Sequence, residues 1–104
     1  MNITDYLVVL DLDARYRVRF ETALGDVSEF VVQLEYYASP EWTPVVRYDT
    51  AHGFAHGDRY GPGGVESQHG PMHIHDLGKA MNVAIRTIQD DWQTLIAPFR
   101  EARP

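Results

Sequence analysis

Two histidines, two aspartates and two arginines fall between Arg47 and Arg59: Arg47, Asp49, His52, His56, Asp58 and Arg59. An imidazole takes or gives a proton near neutral pH, and an adjacent carboxylate can fix its tautomer. A guanidinium can hold a phosphate with two parallel hydrogen bonds. Cleavage of RNA without a metal needs these parts: a base for the 2′-hydroxyl, an acid for the leaving oxygen and a cation for the phosphorane. On this reading Asp49, His52 and His56 are catalytic, Asp49 orienting one imidazole, and Arg47 or Arg59 binds the phosphate. The competing reading is structural: Asp49 caps a turn, His52 bonds the backbone around Gly53, and His56 is an exposed strand residue.

The same histidines can be read as metal ligands. His52 and His56 are four apart, the spacing that aligns two ligands on a helix, but Gly53 and the flanking strand pattern argue against a helix there. His73-x-His75 would present two imidazoles from one side of an extended segment. A metal-dependent hydrolase would combine His52, His56 and either His73 or His75 with Asp49. The leading reading assigns no metal and no cofactor.

Val45–Thr50 has the β-branched and aromatic content of a strand. Gly53 allows a reversal, and 54–60 is a candidate fourth strand. Upstream, residues 10–21 alternate strictly. Leu10, Leu12, Ala14, Tyr16, Val18 and Phe20 share one face, and Asp11, Asp13, Arg15, Arg17, Arg19 and Glu21 the other. That period of two predicts one half-buried strand. Residues 28–38 repeat it, so Gly25-Asp26 marks a hairpin. A two-residue loop at Gly25-Asp26 would set Phe20 opposite Val31 and put the apolar faces on opposite sides. A longer loop or a bulge restores the match, with Phe20 opposite Phe30 or Val32 and Arg15 or Arg17 opposite Glu35; the longer loop is the expectation. Ser39–Pro44 reads as a turn with two prolines, and residues 65–75 as a loop with at most a short edge strand.

Asp76 is a suitable helix N-cap. Leu77, Met81, Ala84, Ile88, Trp92, Leu95 and Phe99 form one helical stripe, and Pro98 should end or kink it. The expected fold is α+β: a four-stranded antiparallel ββββ meander with one long C-terminal helix on one face, a single domain over residues 1–104. One helix leaves the other sheet face open, with Arg15, Arg17, Arg19 and Arg47 interleaved with acids.

The chain has 104 residues, a formal charge of −6 and no cysteine. Disulfides, thiolate catalysis and cysteine-bound zinc are therefore excluded. The acidic balance repels nucleic acid and anionic membrane at long range. Leu7–Leu10 is too short an apolar run for a membrane span, and no secretory signal is visible. A cytoplasmic protein is expected.

The segment from Phe30 to Tyr36, then Trp42-x-Pro44-Val45-Val46-Arg47-Tyr48-Asp49-Thr50-Ala51-His52-Gly53-Phe54-Ala55-His56, resembles a family of small uncharacterised prokaryotic domains. The resemblance covers most of the chain from about Arg15, and continues to Asp90-Asp91-Trp92. Gly57 departs from it, since such sequences tend to carry arginine after the second histidine. If that arginine binds phosphate, Arg59 would have to replace it. The Arg-Tyr-Asp strand followed by histidines is more distantly similar to TumE-like toxins of toxin–antitoxin pairs. That similarity implies an RNA substrate, a cognate antitoxin partner, and Arg47, Asp49, His52 and His56 as functional positions. The alternative is a non-enzymatic, antitoxin-like interaction module that forms a homodimer through the open sheet face.

Overall fold

The computed structural model describes residues 1–103. Six strands, rather than the expected four, form one antiparallel meander in chain order. They are β1 (Asn2–Asp11), β2 (Ala14–Ala23), β3 (Asp26–Ala38), β4 (Glu41–Asp49), β5 (His56–Tyr60) and β6 (Glu66–Pro71). The single helix, α1 (Leu77–Glu101), packs on β3 and more lightly on β4 and β2. No helix among the described residues is long and apolar enough to cross a membrane.

The first extra strand comes from a reversal hidden inside the alternation of residues 10–21. Asp11 pairs with Ala14 across a two-residue turn, Leu12-Asp13. The apolar Leu12 looks like the next inward residue, yet it is 96% exposed at the turn tip. The second is β6, whose polar residues carry no strand pattern and are recruited by pairing with β5.

Parity in the β2–β3 hairpin is restored by a bulge, not by a longer loop. The turn is Leu24-Gly25, with φ of 54° and 85°, and Ala23 pairs with Asp26. A shift in register after Glu21 then sets Phe20 opposite Phe30 and Arg15 opposite Glu35. Arg15 Nε donates to Glu35 Oε1 at 2.6 Å, and its guanidinium lies 4.1 Å from the Trp42 ring centroid. Pro44 falls where β3–β4 pairing shifts register, a place where a missing N–H costs no ladder bond.

The core lies between α1 and the facing side of the sheet. Val18, Phe30, Val32, Leu34, Tyr36 and Val46 are buried there against Ala80, Ala84, Ile88, Ile96 and Phe99. Asp76 caps the helix, its Oδ1 accepting the Lys79 N–H at 2.9 Å. Pro98 does not end α1, which continues one turn to Glu101. Arg100 fixes that turn by donating to Asp13 at 2.7 and 2.9 Å and to Asp11 at 3.2 Å.

Candidate active site on the open sheet face

β-pairing brings the titratable residues into two adjacent rows on the face away from the helix. Arg17, Gln33, Arg47, Asp58 and His69 succeed one another across β2 to β6. Beside them run Arg19, Val31, Asp49, His56 and Pro71. Successive strand residues face opposite sides, so Gly57 and Arg59 point the other way.

Asp49 organises the centre and is only 4% exposed. Its Oδ2 accepts from Arg47 Nε at 2.6 Å and its Oδ1 from the Ala51 N–H at 3.1 Å. Thus Asp49 does cap a turn, and the same carboxylate faces an imidazole: Oδ1 lies 3.3 Å from His56 Nδ1. On the far side of that ring, His56 Nε2 lies 3.4 Å from Asp58 Oδ2. His56 is 7% exposed, not a surface strand residue, and its Nδ1 has no hydrogen-bond partner among the described residues.

His52 is exposed in the β4–β5 turn, where the Gly53 N–H donates to the Thr50 carbonyl at 3.0 Å. Its ring centroid is 5.0 Å from that of His56, with Phe54 6.0 Å from His56 on the same rim. These rings open onto a cleft of about 400 Å³ lined by His52, Phe54, His56, Asp58, Glu66, His69, Gly70 and Pro71. Burial first, and then the carboxylates of Asp58 and Glu66, push the Tyr60 phenol above its usual range, so it stays protonated at neutral pH. A larger hollow of about 800 Å³, lined by Tyr36, Tyr37 and Phe99 among others, holds none of the histidines. The histidine cluster sits in the smaller one.

Asp49, His52 and His56 are therefore brought together, with Arg47 attached to Asp49. Arg47 is largely committed, since its Nη1 also donates to Gln33 Oε1 at 3.2 Å. Arg59 is not part of the group. It lines a separate cleft on the helix side with Asp91 and Leu95. Gly57 shares that side, where an added Cβ would lie 2.9 Å from Tyr48 Cδ1 and Cε1. An arginine at position 57 would thus not reach the histidines, and Arg59 cannot inherit such a role. His73 and His75 lie between β6 and α1 and line no part of the cleft.

Two residues had no place in the sequence reading, Glu66 and His69. Their donor atoms and one of Asp58 lie within 4.8 Å of one another, as do those of Asp49, His56 and Asp58. Only the long-range β5–β6 pairing reveals them; His69, opposite Asp58 in the ladder, gives no local signal beyond being a histidine.

The chain belongs to the family described as a domain of unknown function (DUF7718), whose model matches residues 1–104. No curated protein and no solved structure matches it.

Proposed function

We propose that this protein cleaves RNA in the β4–β6 cleft by histidine acid–base chemistry, as a toxin-like enzyme held in check by a cognate antitoxin. The observation that carries this reading is the pair of imidazoles 5.0 Å apart, one exposed and one buried between two carboxylates. The similarity of the Arg47-Tyr48-Asp49 strand and its histidines to TumE-like toxins points the same way.

His52, exposed on the rim, takes the proton of the 2′-hydroxyl. The 2′-oxygen attacks phosphorus, the bond to the 5′-oxygen breaks, and His56 Nε2 returns a proton to that leaving oxygen. A 2′,3′-cyclic phosphate and a 5′-hydroxyl result. Asp49 is a positioning residue: it stands at His56 Nδ1 and is itself held by Arg47 and the Ala51 N–H. Phe54, half-exposed beside both rings, offers a face on which a base can stack. The Arg47 side chain stays partly exposed on the histidine side of the sheet and is the phosphate-binding candidate; Arg59 has no role.

The test is cleavage of a labelled single-stranded RNA by untagged protein, beside growth on induction. The wild type should cleave and arrest growth, and His52→Ala or His56→Ala should each slow cleavage by about 100-fold or more. Wild-type rates in both variants, or an inert wild type, would overturn the reading.

A further inference from the structure

We propose that the same cleft binds one divalent first-row transition-metal ion through His56 Nε2, Asp58, Glu66 and His69. Asp58 is common to two sets of donor atoms, Asp49–His56–Asp58 and Asp58–Glu66–His69, each lying within 4.8 Å. β5 supplies His56 and Asp58, and β6 brings Glu66 and His69 alongside by antiparallel pairing.

Two features favour an ion over an arrangement of ordinary ion pairs. The first is spacing: the His56 ring is 7% exposed and lines the cleft, and its Nε2 lies 3.4 Å from Asp58 Oδ2, roughly the edge of a tetrahedron whose bonds are about 2.0–2.1 Å. The second is support from behind the ring: Asp49 Oδ1 stands 3.3 Å from the buried Nδ1, the side from which a carboxylate orients a metal-binding imidazole. Asp49 in turn is fixed by Arg47 and the Ala51 N–H, so this support is rigid.

Two imidazole nitrogens with two carboxylates suit zinc, cobalt or manganese better than calcium or magnesium, which take oxygen shells. The charge balance agrees. Asp58 and Glu66 line the cleft while no lysine or arginine does, so a cation there relieves carboxylate repulsion. This inference goes beyond the RNA-cleavage reading and stands without it. Metal and proton compete for His56 Nε2, so the two readings describe alternative states of the same cleft.

The experiment is a titration of chelator-treated, untagged full-length protein with Co²⁺, read by visible absorption, and with Zn²⁺, read by calorimetry. One ion per chain is expected. His69→Ala and Asp58→Asn should weaken binding by about tenfold or more. His75→Ala, an exposed imidazole outside the cleft, should leave it unchanged. His69 is exposed on the edge strand, so its removal should preserve the circular dichroism spectrum and the urea midpoint. Absence of saturable binding, or an equal loss in His69→Ala and His75→Ala, overturns the proposal. Because the titration contains no RNA, a chain that binds metal without cleaving refutes only the preceding reading. One that cleaves in excess chelator without binding metal refutes only this one.

Discussion

Gly57 separates the two sides of β5 at the scale of one residue. Its neighbours His56 and Asp58 face the cleft, while Gly57 faces the Tyr48 ring, where a Cβ would sit 2.9 Å from two ring carbons. A ring edge held in a sheet cannot retreat as a flexible chain end can, so even one methyl overpacks the site. Gly57→Ala should therefore lower stability by about 1–3 kcal/mol in urea unfolding. A variant as stable as the wild type would show that Tyr48 is free to swing. The local cluster was legible in the sequence because Asp49, His52 and His56 span one strand end and one turn, and nearness in chain guarantees nearness in space. Arg59 was misjudged for the same reason in reverse. It is three residues from His56, an odd spacing that in a strand places it on the other face.

At the scale of elements, one clamp decides what the sequence pattern leaves open. The β1–β2 turn and the last turn of α1 are joined by Arg100, which binds Asp13 with both a 2.7 Å and a 2.9 Å contact. Hydrogen bonding by Arg100 is the main reason the Asp13 carboxyl lies below its usual range. A carboxylate with a depressed folded-state value adds stability above its unfolded pKa, about 3.9, and loses it as pH falls through the lower folded value. Asp13→Asn should cost about 0.5–1 kcal/mol at pH 7, a modest figure because the pair is partly exposed. The gap between variant and wild type should close as pH falls through the depressed folded-state value, below the unfolded carboxylate range. A gap independent of pH would mean that packing, not charge, joins the two elements. The same clamp explains why Pro98 fails as a terminator: a proline in the last turn removes one backbone bond, and the anchored Arg100 holds the turn that follows. Helix and central strands were readable from periodicity, whereas the β1–β2 turn was masked by an exposed leucine at its tip, Leu12; the β2–β3 hairpin was legible from Gly25-Asp26, one residue beyond its actual turn, Leu24-Gly25. The β5–β6 pairing, which completes the candidate site, was not readable because β6 has neither alternation nor β-branched residues.

For the whole molecule, the question is how an acidic protein of net charge −6 would hold an anionic polymer. The open face carries four arginines, but two are neutralised by neighbours: Arg15 by Glu35 and Arg47 by Asp49, each at 2.6 Å. Arg19 reaches Glu21 at a weaker 3.4 Å, and Arg17 has no ion-pair partner among the described residues. At most about two phosphates can then be neutralised by side chains, and each contributes roughly −0.7 to the slope of log affinity against log salt for a single strand. RNA binding by this face should show a slope of about −1.5 or shallower, measured by fluorescence anisotropy with a His52→Ala chain to limit any cleavage. Such binding would be governed by stacking on Phe54 and by the cleft rather than by counterion release. Arg17→Glu and Arg19→Glu together should flatten the dependence further. A slope steeper than about −3 would require a basic track that this sheet does not have, and would place the RNA on another surface.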